Sequence, residues 1–71
     1  MREFWITIEH MEEQEARTLW KKHKGKDINC TVMFDRVFIY GIADEQTIGN
    51  IVDDIITLGK DYGLTSKEVI Q

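Results

Sequence analysis

Residues 28–43 read Ile-Asn-Cys-Thr-Val-Met-Phe-Asp-Arg-Val-Phe-Ile-Tyr-Gly-Ile-Ala, and this stretch decides the fold. Its β-branched and aromatic side chains are those that strands prefer. Asp35-Arg36, near its middle, marks a reversal between two strands, 28–35 and 36–43. The pair is not the Asn-Gly or Asp-Gly that tight hairpins favour, so the turn type stays open. The faces do not depend on it. A two-residue loop pairing Phe34 with Val37 and a four-residue loop pairing Met33 with Phe38 have the same register. Ile28, Cys30, Val32, Phe34, Val37, Ile39, Gly41 and Ala43 therefore share one face. Asn29, Thr31, Met33, Phe38, Tyr40 and Ile42 share the other.

Before the hairpin, residues 3–9 form another strand pattern, with Phe4, Ile6 and Ile8 on one face and Trp5, Thr7 and Glu9 on the other. From Met11 the period lengthens, because Ala16, Leu19, Trp20 and His23 follow helical spacing. Glu12, Glu13 and Glu15 at the start and Lys21, Lys22 and Lys24 at the end complement the helix dipole, and Gly25 is a natural stop. A helix over Met11–Lys24 is expected, without a good side-chain cap at its start. After the hairpin, Asp44 is an N-cap for a second helix whose buried stripe is Ile48, Ile51, Val52, Ile55, Leu58 and Tyr62. Gly63-Leu64 fits its C-terminal cap. Thr65-Ser66-Lys67-Glu68 has capping-box spacing, so the tail 65–71 is read as a short helical turn, with an edge strand at Val69-Ile70 as the alternative.

The order is thus β-α-β-β-α, an α+β arrangement. A right-handed crossover puts both helices on one face of a three-stranded antiparallel sheet, with the third strand central. That is a ferredoxin-like unit lacking or shortening its last strand. The expected core is Phe4, Ile6, Ile8, Leu19, Trp20, Val32, Phe34, Val37, Ile39, Ile51, Val52, Ile55 and Leu58.

Composition narrows the class. The 71 residues contain no proline and one cysteine, with 42% hydrophobic and 31% charged residues. A chain of this length makes one domain, 1–71, and buries only roughly 60% of its unfolded surface. Disorder, a disulfide scaffold and a membrane span are excluded on composition and run length. With no signal-like opening, a cytoplasmic protein is the expectation. Residues 1–43 are charge-balanced, and the net −4 falls entirely in residues 44–71. Long-range repulsion of phosphates follows from it.

No motif fixes a reaction. There is no glycine-rich phosphate loop and no Gly-x-Ser-x-Gly. His10, His23 and Cys30 lack metal-ligand spacing, and Cys30 falls on the core face as an inert thiol. Asp53 and Asp54 point about 100° apart on a helix and form no acid/base pair. No enzyme, metal or cofactor is expected.

The informative surface is the sheet face away from the helices. It carries Trp5, Met33, Phe38, Tyr40 and Ile42, and a contiguous aromatic patch of this kind marks a contact. The leading expectation is a protein interface. It is most simply a homodimer pairing two sheet faces or two first-strand edges, and otherwise a contact with another protein. Partial cover by the tail, or a bent sheet, is the structural alternative.

The layout is also similar to an RNA-recognition motif, in which aromatics of the first and third strands stack bases. Phe4-Trp5-Ile6-Thr7-Ile8 stands for the shorter consensus and Arg36-Val37-Phe38-Ile39-Tyr40 for the longer. Val37 replaces the glycine of that pattern, and the fourth strand is missing or minimal. The likeness implies single-stranded nucleic-acid binding as an alternative function. Two charged surfaces complete the candidates. Lys21, Lys22, Lys24 and Lys26 form a basic run, read chiefly as a solvated helix end. Asp53, Asp54 and Asp61 form an acidic surface that would suit an adaptor or inhibitor.

Overall fold

A computed structural model describes residues 1–23, 25 and 27–69. Lys24 and Lys26 of the basic run, and Ile70 of the alternative tail strand, lie outside the described residues.

Strand β1 (Arg2–Glu9) alternates as its sequence dictates, burying Phe4, Ile6 and Ile8. A turn through His10, at φ 57, leads into helix α1 (Glu13–His23). The side-chain cap missing from the sequence is supplied in part from inside the helix. Glu15 Oε1 accepts from the Glu12 N–H at 3.4 Å, the returning half of a capping box. Strands β2 (Ile28–Met33) and β3 (Arg36–Ala43) form the expected hairpin, and helix α2 (Glu45–Thr57) follows. Asp44 caps α2 as predicted, its Oδ1 accepting from the Thr47 N–H at 2.8 Å.

The expected three-stranded sheet is wrong. Tyr62–Glu68 forms strand β4, antiparallel to β1, and the sheet has four strands in the order β2-β3-β1-β4. This completes the β-α-β-β-α-β ferredoxin-like unit. The helical turn expected over Thr65-Ser66-Lys67-Glu68 is therefore absent; those residues are extended. Helix α2 also ends before the expected Tyr62. Gly59, at φ 72, takes the left-handed C′ position, with its N–H on Ile56 O at 2.9 Å and the Lys60 N–H on Ile55 O at 3.3 Å. That is a Schellman cap, so Gly59 does what Gly63 was expected to do. Leu58, beyond the last turn, is exposed rather than buried, and Tyr62 belongs to β4.

The hairpin register differs by two residues from that expected. Met33 pairs with Arg36 and Val32 with Val37, so Phe34-Asp35 is the loop. A shift of two preserves every face, but it moves Phe34 out of the ladder. Phe34 stands at the tip with φ 59 and is 95% exposed, where a core position was expected.

The core lies between the sheet and the two helices. Phe4, Ile6, Ile8, Ile28, Val37 and Ile39 meet Ala16 and Leu19 of α1 and Ile48, Ile51 and Ile55 of α2. Trp20, Val32 and Val52 pack partly against it. At the end of β3, Gly41 has φ 148, and a Cβ there would lie 1.8 Å from Asp27 O. Only glycine fits that approach.

Candidate functional site

The face of the sheet opposite the helices is built in rows. Asn29, Tyr40, Trp5 and Thr65 stand side by side across β2, β3, β1 and β4. In the next row come Thr31, Phe38, Thr7 and Gly63. Directly paired side chains on one face lie close enough to touch. The Trp5 indole accordingly stacks on the Tyr40 ring at 4.8 Å between centroids, and it meets its diagonal neighbour Phe38, tilted, at 5.3 Å. The Tyr40 hydroxyl lies 3.3 Å from Thr31 Oγ1. Of the five predicted site residues, the fold thus brings Trp5, Phe38 and Tyr40 into one cluster. Ile42 lies toward the end of β3 in the row of Glu3 and Lys67, and Met33 toward the hairpin tip in the row of Arg36 and Glu9.

No helix covers this face. Trp5 is 45% exposed, although it neighbours the fully buried Ile6 in sequence. An open cleft of about 480 Å³ runs beside the cluster, lined by Trp5, Tyr40, Ile42, Thr65 and Lys67 among others. Its charges are balanced. Lys67 pairs with Glu3 at 3.3 Å and Arg36 with Glu9 at 3.5 Å. Exposed pairs of this kind add little stability, but they leave neither cation free on this face. The face is an apolar centre with a neutral rim.

The other candidates separate in space. Asp53 lines a groove between α2 and β4, whereas Asp61 precedes β4 beside Thr7 and Glu9. Asp54 turns to α1, where Oδ2 is 2.5 Å from His23 Nε2 and 3.2 Å from Lys22 Nζ. The His23 hydrogen bond, followed by the bond from Lys22, holds the Asp54 carboxyl below the usual aspartate range. Lys21 is exposed, whereas Lys22 is engaged with Asp54. Burial pushes the Cys30 thiol up, which makes it a poor nucleophile. Among the described residues no group of three His, Cys, Asp or Glu side chains is placed to hold a metal ion, and no helix is long and apolar enough to cross a membrane.

Two surface features escaped the sequence. One is the apolar hairpin tip of Met33 and Phe34, which a two-residue register shift creates. The other is β4 itself. Its alternating Tyr62, Leu64 and Ser66 after the Gly59 stop is the only signal of a strand, and a weak one.

No protein-family model matches the chain, and no curated protein matches it. Among solved structures the chain is similar to that of CPII, a nitrogen regulatory PII-like protein from Thiomonas intermedia K12, bound to ADP, AMP and bicarbonate. The TM-score is 0.61 at 12% sequence identity, covering 99% of this chain and 92% of that one. At that identity the likeness is one of fold.

Proposed function

We propose that this chain is a small non-enzymatic module that docks a protein partner, a second copy or another chain, through its open sheet face. Trp5, Phe38 and Tyr40 are the anchors, and Met33 and Ile42 flank them. The observation that carries this is a stacked aromatic cluster, Trp5 45% exposed and Phe38 and Tyr40 partly buried beside it, on the one sheet face that neither helix covers. Tyr and Trp supply large, rigid contact area with a polar tip, and they dominate binding hot spots. That a regulatory protein shares the fold is in keeping with a binding role for this scaffold.

Single-stranded nucleic acid is the second reading. The fourth strand, absent from the sequence expectation, completes the four-stranded layout on which such recognition is built. Against it, Trp5 packs on both neighbouring rings instead of standing free for bases, and Arg36 and Lys67 are each tied to a carboxylate. A stacking platform needs a cationic track beside it. The acidic-adaptor reading has less support, since Asp54 is engaged by His23 and Lys22 and points away from Asp53.

Trp5 emission, read in a Trp20→Phe background, tests the proposal. A photo-crosslinker at position 38 should yield discrete protein adducts that Tyr40→Asp abolishes, with matching loss of a Trp5 blue shift. Quenching by mixed oligonucleotides at low salt, with no protein adduct, would instead establish the nucleic-acid reading.

A further inference from the structure

The two edges of the sheet are not equivalent. Backbone bonds outside the regular ladders fix which groups face outward at each. At the β2 edge, Ile42 N–H donates to Asp27 O at 3.1 Å, so Asn29, Thr31 and Met33 point their backbone toward β3 and Ile28, Cys30 and Val32 point outward. The chain closes part of that edge itself. Trp20 Nε1–H donates to Ile28 O at 3.0 Å, and the Ile28 N–H donates to Gly25 O at 3.5 Å.

At the other edge, Glu9 N–H donates to Asp61 O and Val69 N–H to Met1 O, both at 3.1 Å. Gly63, Thr65 and Lys67 therefore point inward to β1, and Tyr62, Leu64, Ser66 and Glu68 turn their N–H and C=O groups outward. No hydrogen bond among the described residues outside the strand ladders uses those groups. An unblocked edge of this length is a template for another strand. Tyr62 and Leu64, which point to the helix side, are 38% and 43% exposed there.

We propose that β4 pairs with β4 of a second copy of this chain, antiparallel about a two-fold axis at Thr65, to make one continuous eight-stranded sheet. This register lets all four outward-facing residues bond, Tyr62 with Glu68 and Leu64 with Ser66 of the other copy. It also satisfies the charges. Lys67 of each copy falls opposite Gly63, where a Cβ would meet nothing within 4 Å. It thereby reaches a notch of about 300 Å³ lined by Thr7, Glu9, Asp61, Tyr62 and Gly63. That puts Lys67, whose bond to Glu3 is exposed and weak, within reach of Asp61 of the other copy, and it sets no like charges directly opposite. On the helix side the two Leu64 side chains become diagonal neighbours, within reach of each other. The second copy fits better than a foreign strand because the two-fold axis brings Lys67 of each copy to Asp61 of the other, so the same pairing is made twice. The aromatic faces of both copies stay open, on one side of the joined sheet.

The test uses the full chain. Light scattering should give twice the 8.4 kDa chain mass for wild type. Leu64→Pro should give the monomer mass, because proline removes an outward N–H and leaves the β1 ladder its own donors. In a Cys30→Ala background, Thr65→Cys should oxidise to a covalent dimer. The two Thr65 form a non-hydrogen-bonded pair with Cα atoms about 4.5 Å apart. Lys67→Cys should not link, since its two copies are offset by roughly 13 Å along the strands. Wild-type monomer at every concentration overturns the proposal, as does linking through Lys67→Cys but not Thr65→Cys. A dimer that survives Leu64→Pro and dissociates in Tyr40→Asp also overturns it, and assigns the contact to the aromatic face. Neither the monomer nor the linking result touches docking of other proteins through that face.

Discussion

Trp5 and Tyr40 stack across the β1–β3 ladder, their ring centroids 4.8 Å apart and their planes 30° from parallel. The residue after Trp5, Ile6, is fully buried on the other side of the same strand. Adjacent positions thus serve a surface and a core, and their truncation should separate the two roles. Trp5→Ala is expected to cost about 1 kcal/mol, the worth of an exposed cross-strand aromatic pair. Ile6→Ala should cost about 2–5 kcal/mol, from lost burial and the cavity left behind. Urea unfolding of the two variants measures the difference. Equal costs would make the aromatic cluster part of the core and remove the ground for a docking face.

Phe34 gives a prediction of the opposite sign. It holds φ 59 at the first loop position while 95% exposed, so it has strain and almost no burial. A two-residue hairpin loop wants Gly or Asn there. Phe34→Gly should raise the thermal midpoint, with a gain of about 0.5–1 kcal/mol. A loss of stability would show that the ring makes contacts within the chain.

How far the sequence was legible follows from what each element must bury. β1 and α1, the hairpin faces and the Asp44 cap were readable because each has one wet and one dry side, or a side chain with a single local job. The aromatic cluster was readable for the same reason, once β1 and β3 were placed as neighbours. Phe34 was not, since a register shift of two leaves the alternation unchanged and alters only which residues form the loop. β4 was not, because an edge strand exposed on most of both faces carries only the short alternation of Tyr62 and Leu64 as a hydrophobic period. Its backbone bonds to β1 hold it there, and those leave no trace in side-chain pattern. The open edge and the pairing of α1 with α2 through His23 and Asp54 depend on tertiary placement alone.

Gly41 is the position where a single methyl should do the most harm. Its φ of 148 is disfavoured for any residue with a side chain, and the added Cβ would overlap Asp27 O at 1.8 Å. That carbonyl also accepts the Ile42 N–H, so it cannot move without opening the β2–β3 ladder. Backbone strain and overpacking together put Gly41→Ala at about 3–5 kcal/mol. Gly49→Ala is the control. A Cβ there meets nothing within 4 Å, and helix propensity alone should stabilise α2 by about 1 kcal/mol. Chemical denaturation of both variants decides the matter, and a mild effect at Gly41 would mean that the end of β2 is looser than this close approach implies.

The His23–Asp54 bond ties the end of α1 to the last turn of α2 and should appear in the acid limb of stability. Asp54 has its folded pKa held below the ordinary 3.8 by the hydrogen bond from His23 first and by Lys22 second. A carboxyl depressed in the folded state contributes stability that is fully present above its unfolded pKa and lost as pH falls through the folded value. Asp54→Asn should therefore be less stable than wild type at pH 5–6, by about 1 kcal/mol for a charge-assisted bond at a partly exposed site. The two proteins should converge as pH drops below 3.8 toward 2. Asp44, also depressed through its bonds with Thr47, titrates in the same window, so its contribution must be held constant. Comparing variants that both retain Asp44 does this. Lys22→Met should remove the smaller share of the effect, and His23→Gln the larger. A wild-type advantage over Asp54→Asn that stays flat from pH 6 to pH 2 would show that the ionised carboxylate is not what joins the helices.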